Sequence, residues 1–155
     1  MKKYFKITFV CMMIVLLTGC LGREKVTTCT LDSDQSSSGY AIKSEYKIYS
    51  SKDSVNKVIT VETVESTNNT ILSYFEKQLN TQYKTFNDNY GGYSYKITNK
   101  DNKVVSEVTI DYNKMDMKKF ITNNPSLKSY VNKSNKITVN GLKTMYKSLG
   151  ATCGK

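Results

Sequence analysis

The chain has 155 residues, with 23 Lys+Arg against 13 Asp+Glu for a formal charge of +10 and 39% hydrophobic residues, which suits one modest core and excludes both a disordered tail and two ordinary domains. Histidine and tryptophan are absent. Without an imidazole there is no Ser/His/Asp triad, Cys/His dyad or HExxH zinc site, and most transition-metal centres are excluded.

The chain opens with Lys2, Lys3 and Lys6, an apolar run from Ile7 to Leu17, then Leu17-Thr18-Gly19-Cys20. A basic start, a short apolar middle and small residues before the cut are the parts of an export signal. The run is too short for the roughly 18 to 20 residues that span a bilayer core. Leu-Thr-Gly-Cys resembles the lipobox of bacterial lipoproteins. That resemblance implies that residues 1–19 are removed and that Cys20 carries diacylglycerol, holding the protein on the extracytoplasmic face of the cell membrane. Each buried methylene contributes about 0.8 kcal/mol, so two or more acyl chains would make a durable anchor. The competing reading leaves Cys20 an ordinary thiol after a conventional cleavage site. Residues 20–25 read as a short tether and residues 26–155 as a single domain.

Losing three lysines and no acid takes the formal charge from +10 to +7. An exported, lipidated protein meets little nucleic acid, so the expected partners are membrane lipid through Cys20 and an envelope protein, polymer or small ligand. Codon usage offers a blander source for the lysines, because Lys, Asn, Ile and Tyr all use A/T-rich codons.

Four cysteines occur. Cys11 leaves with the leader and Cys20 takes lipid, which leaves Cys29 and Cys153. An isolated pair in an exported chain reads as one disulfide, the alternative being two free thiols. Closing a loop of about 125 residues would stabilise the fold by roughly 4 to 5 kcal/mol on the chain-entropy model.

Lys25 to Asp32 reads as a first strand, followed by a polar loop from Ser33 to Gly39. Tyr40, Ile42, Tyr46 and Ile48 alternate with Lys43, Glu45 and Lys47, the pattern of a strand with one buried side. Ser51–Ser54 turns the chain into a second β run, Val55 to Glu65. Ile71, Leu72, Phe75, Leu79, Tyr83, Phe86 and Tyr90 then recur at three-to-four spacing, which predicts a helix over roughly 70–87. Tyr90-Gly91-Gly92-Tyr93 stops it. A second hairpin follows, with Tyr93, Tyr95 and Ile97 on one face and a turn at Asn99–Asn102. Helical pieces are expected near Asn113 to Thr122 and after Pro125, a small strand at Ile137–Val139, and a last helix capped by Asn140. Antiparallel hairpins with helices able to cover one face predict an α+β two-layer sandwich.

Together the lipobox leader, Thr28-Cys29-Thr30, Tyr90-Gly91-Gly92-Tyr93, Ile110-Asp111-Tyr112-Asn113-Lys114-Met115-Asp116 and Gly150-Ala151-Thr152-Cys153 resemble the YehR-like small bacterial lipoproteins. The resemblance spans nearly the whole mature chain. It implies an α+β two-layer fold and brings no active site to carry over.

Chemistry is scarce. Asp111 and Asp116 are the one acid pair placed to act as base and acid of a hydrolase, and aspartates at a strand-to-helix junction more commonly cap the helix. Neither Asp32-Ser33-Asp34 nor Asn87-Asp88-Asn89 continues with both the Gly and the distal Glu of a calcium loop. No phosphate loop, dinucleotide fingerprint or GxSxG elbow occurs. No cofactor or metal is expected, and the chain does not read as an enzyme. Tyr90, Gly91, Gly92 and Tyr93 are the candidate binding residues, since tyrosines around a glycine pair build a stacking platform. Core packing competes for Tyr93 and Tyr95, which share a face with Ile97. The expectation is a noncatalytic, membrane-anchored binding or accessory lipoprotein. The alternatives are a small-ligand-binding component of a transport system and, behind it, a hydrolase using Asp111 and Asp116.

Overall fold

The computed structural model describes residues 24–154. The leader, Cys20 and most of the tether lie outside the described residues.

Strand β1 (Lys25–Gln35) pairs with β2 (Tyr40–Ser51), which folds back onto β3 (Ser54–Glu65), and every pairing in the sheet is antiparallel. Helix α1 (Asn69–Tyr90) follows, then a hairpin of β4 (Tyr93–Lys100) and β5 (Lys103–Asp111). Helix α2 (Met117–Asn123), a 3₁₀ turn (Pro125–Tyr130), helix α3 (Val139–Ser148) and the two-residue strand β6 (Thr152–Cys153) complete the chain. Sheet order is β4-β5-β3-β2-β1-β6. The helices pack against the open sheet, giving a mixed α+β fold.

The long middle strands form where alternation is strongest. Ile48 pairs with Val58 and Ile42 with Val64, so apolar residues two apart share one face. Asp101 and Asn102 both take positive φ, 55° and 60°, as a two-residue hairpin turn with the twist of its flanking strands requires. Asn68 starts α1 by accepting from the Thr70 N–H at 2.9 Å.

Several boundaries differ from the expectation. β1 continues through the polar Ser33–Gln35, because β2 offers a backbone ladder as far as Tyr40 and main-chain pairing does not depend on side-chain polarity. Helix α2 begins at Met117 rather than near Asn113, since Asp111 and Asp116 hold the intervening residues in a turn. The turn after Pro125 is 3₁₀. Residues 137–139 form only two isolated bridges, Val131 to Ile137 and Ser54 to Thr138. The last helix is capped by Thr138, whose Oγ1 accepts from the Gly141 N–H at 3.0 Å, and not by Asn140.

The core is split. One cluster joins Cys29, Tyr46, Ile48, Val55 and Val58 to Ile137, Leu142 and Tyr146 under α3. The other joins Val64 and Val104 to Leu72 and Leu79 of α1. Full burial of each such aliphatic side chain contributes about 1.5 to 3 kcal/mol. Between the clusters the same sheet face carries a polar row, Ser44 opposite Glu62 and Glu62 opposite Ser106. Cys29 and Cys153 pair across β1 and β6 and are joined by a disulfide.

Candidate functional site

The gap between the two cores is a cleft of about 250 Å³. Its floor is the middle of the sheet, with Tyr46, Thr60, Glu62, Val108 and Ile110. Tyr83 of α1 stands on one side and Leu142, Met145 and Tyr146 of α3 on the other. Phe120, Leu127 and Tyr130 close one end, and Tyr93 and Tyr112 complete the wall. The site therefore draws on every layer of the fold. Tyr46 and Tyr146 stack across the sheet–helix boundary, ring centroids 4.2 Å apart, which sets the spacing of α3 from the floor. Tyr83 meets Tyr95 at 5.4 Å and Phe86 meets Tyr93 at 5.6 Å, fixing the α1 side.

Glu62 is the polar centre. Its Oε2 accepts from the Ser44 hydroxyl at 3.2 Å. Burial pushes its carboxyl above the ordinary value, and the Ser44 hydrogen bond pulls in the opposite direction, as expected when desolvation penalises the charged form. The phenols respond alike. Burial raises Tyr46 and Tyr83 and takes Tyr93 up to about 12. Tyr112, half-buried as a whole residue, and Tyr146 are pushed higher still. At neutral pH these tyrosines are uncharged donors and acceptors. Ser106 Oγ, 1% exposed at residue level, has no hydrogen-bond partner in good geometry. It lies close enough to the Tyr83 phenol to pull that group's pKa down against the larger rise from burial.

A neighbouring hollow of about 320 Å³ shares Tyr112 and Ile137 and is edged by Asn113, Lys118, Asn135 and Lys136. It has lysines at its rim and no carboxylate. The tyrosine-lined cleft is the better candidate because it sets one acid among apolar and aromatic groups, the usual make-up of a small-molecule site.

Of the residues nominated from the sequence, Tyr93 lines the cleft and the other three do not. Tyr90 packs edge-on to Phe120 at 5.0 Å and beside Phe86 at 6.0 Å. Gly91 and Gly92 have φ of 71° and 79°. A Cβ on Gly92 would sit 2.6 Å from the Asp111 carbonyl oxygen. The Asp111 N–H donates to Gly92 O and the Asp116 N–H to Tyr90 O, both at 2.8 Å. The glycine pair is thus a joint locking the start of β4 to the β5–α2 connection. Asp111 Oδ1 accepts from the Asn113 N–H at 3.1 Å and Asp116 Oδ1 from the Lys119 N–H at 3.0 Å. Both carboxylates are engaged as local caps.

Sequence reasoning missed Glu62, Ser44 and Ser106. The alternation Val58, Thr60, Glu62, Val64 puts a carboxylate in step with the apolar face, and that was the available signal. Among the described residues no three His, Cys, Asp or Glu side chains gather to hold a metal, and no helix is long and apolar enough to cross a membrane.

Two solved structures share this architecture. One is the NMR structure of a protein from Streptococcus pneumoniae TIGR4, with a TM-score of 0.53, 11% identity, and coverage of 86% of this chain and 87% of that one. The other is the NMR structure of E. coli YehR, with a TM-score of 0.52, 20% identity, and coverage of 85% of this chain and 93% of that one. The chain has the fold of YehR. No family model matches it, and the search of curated proteins found no match. At these identities the likeness to YehR and to the pneumococcal protein establishes the fold and nothing about activity.

Proposed function

We propose that the chain is a YehR-like lipoprotein, anchored on the extracytoplasmic membrane face through Cys20, whose domain binds a small ligand and performs no catalysis. One observation carries the binding reading: the sheet's inner face supports two separate cores and leaves between them a tyrosine-lined cleft with Glu62 on its floor. A domain selected for stability alone would close that gap with apolar side chains. Asp111 and Asp116 spend an oxygen each on capping, and among the described residues no second acid lines the cleft to pair with Glu62. These points favour binding over hydrolysis. Support for the anchor is the lipobox-like Leu17-Thr18-Gly19-Cys20 at the end of a correctly built leader.

The test is ligand-detected NMR on the full chain in detergent micelles, with a panel of small cationic, neutral and anionic metabolites. Saturable binding that disappears in Leu127→Trp, which fills the cleft from its end wall, is the expected result. A panel that yields no binder, or binding indifferent to Leu127→Trp, removes the cleft reading. The anchor is checked separately by lipid labelling, which Cys20→Ala abolishes if the assignment holds.

A further inference from the structure

Charge in this molecule is distributed unevenly around the cleft. The chain is rich in lysine, yet among the described residues no lysine or arginine lines the cleft, and Glu62 is the only carboxylate there. Some exposed acids elsewhere pair with lysines, Glu45 with Lys47 at 2.9 Å and Glu65 with Lys103 at 2.8 Å, where such pairs are worth little. Glu62 is desolvated, so an unpaired charge is expensive there, and among the described residues no cation reaches it. Among the described residues its polar contact is the Ser44 hydroxyl on Oε2, and none donates to Oε1. Directly opposite on β5, Ser106 Oγ is buried, beside the Tyr83 phenol and with no hydrogen-bond partner in good geometry. The cleft's central row therefore offers a carboxylate oxygen open to a donor from the cleft, with a buried hydroxyl beside it.

The surroundings select the sign of the missing partner. Tyr46, Tyr83, Tyr93 and Tyr146 are neutral phenols. Their rings attract cations, and their oxygens accept from N–H groups. The reverse face of the sheet already uses this chemistry, with Lys57 Nζ lying 4.2 Å from the Tyr49 ring centroid. An anion would meet a buried carboxylate and no cation, which rules it out on Coulombic grounds. We propose that the cleft binds a small organic ammonium ion, its nitrogen against the Glu62 carboxylate and its alkyl groups against the surrounding tyrosines. A volume of about 250 Å³ admits an ammonium head and a few carbons and excludes a polymer segment. This inference rests on the ligand-binding reading above.

Two matched pairs of probes test it on the full chain in detergent micelles. Choline is compared with its neutral isostere 3,3-dimethylbutanol, and n-butylammonium with n-pentanol. The first pair tests a quaternary head and the second a primary one. Tryptophan is absent, so emission comes from tyrosine, and a ligand-dependent change in it follows the cleft through Tyr46, Tyr83, Tyr93, Tyr112, Tyr130 and Tyr146. The expected result is saturable binding of at least one ammonium, about tenfold or more tighter than its neutral partner. Glu62→Gln should abolish that preference and Glu62→Asp should keep it, which separates loss of charge from loss of fold. Equal binding of ammonium and alcohol, or an unchanged preference in Glu62→Gln, overturns the ammonium assignment and leaves the ligand-binding reading standing. No saturable response to either ammonium also overturns it, while the wider metabolite panel decides separately whether the cleft binds anything.

Discussion

Glu62 of β3 lies directly opposite Ser44 of β2, and the Ser44 hydroxyl donates to Glu62 Oε2 at 3.2 Å. The groups facing this pair include Tyr46 from β2, Tyr83 from α1 and Ser106 from β5. None of them carries positive charge, so the carboxylate is held by hydrogen bonding alone in a setting that penalises its ionised form.

That penalty has a pH signature. Burial raises the Glu62 pKa above 4.5 in the folded state, so the folded protein holds this proton more tightly than the unfolded chain does. Below the unfolded value Glu62 is protonated in both states and the charge penalty is absent. As pH rises through the raised folded value the ionised carboxyl must stay desolvated, and stability is lost. Glu62→Gln is therefore expected to melt above wild type at pH 7.5 and to lose that advantage at pH 4. Thermal unfolding at both values checks it. A variant that melts lower at pH 7.5 would show that the carboxylate stabilises the fold. A stabilising substitution at the site would instead follow the familiar conflict between stability and function.

The disulfide offers a second prediction. Cys29 is fully buried in the larger core, and its bond to Cys153 closes a sequence separation of 124 residues. Losing such a closure is expected to lower stability by roughly 4 to 5 kcal/mol, which for a domain of this size lowers Tm by more than about 10 °C. Cys153→Ser is the cleaner variant, because Cys153 is only half-buried and its loss leaves the core packing at Cys29 intact. Reduced wild type should melt with it. Two thiols titratable in the native wild type, with an unchanged melt, would refute the bridge.

These two features differ in how far the sequence revealed them. The disulfide pair followed from assigning the other two cysteines to the leader and the lipid, a local argument that needed no geometry. The alternation of Tyr40 to Ile48 and the spacing of Ile71 to Tyr90 likewise carried β2 and α1, because each depends on a period within one element. Sheet order did not follow, since β5 reaches β3 only after α1 and β4 have intervened, and such pairing is decided by packing across distant segments. The polar row was hidden for the same reason. Ser44, Glu62 and Ser106 sit on three strands, and each alone resembles an ordinary polar residue; only the register brings them together.

Asp116 gives a prediction that separates capping from acid–base chemistry. Its Oδ1 accepts from the Lys119 N–H at the start of α2. Asp116→Ala should cost about 1 kcal/mol. Asp116→Asn keeps an acceptor oxygen and should cost only a few tenths. Denaturant unfolding resolves the two. Equal losses in both variants would mean that the charge, and not the cap, is what the residue contributes.

The glycine pair yields two distinct failures. Gly91 combines φ 71° with ψ −177°, a region essentially closed to residues with a Cβ. Gly91→Ala is therefore expected to lose about 1 to 3 kcal/mol through backbone strain, with the Lys114 carbonyl a tolerable 3.3 Å from the new methyl. Gly92→Ala adds a collision, because the methyl would lie 2.6 Å from the Asp111 carbonyl oxygen and 3.2 Å from Met115 Cβ. Neither neighbour can swing aside, since one is backbone and the other is the first carbon of a buried side chain. The loss should exceed that of Gly91→Ala by about 1 kcal/mol or more. It should also disturb Tyr93, which follows Gly92 directly and lines the cleft. Paired thermal melts rank the stabilities. Tyrosine emission under the ammonium probes reports the cleft, where Gly92→Ala is expected to weaken binding more than Gly91→Ala, and the reverse ranking would place the joint's critical contact at Lys114 instead of Asp111.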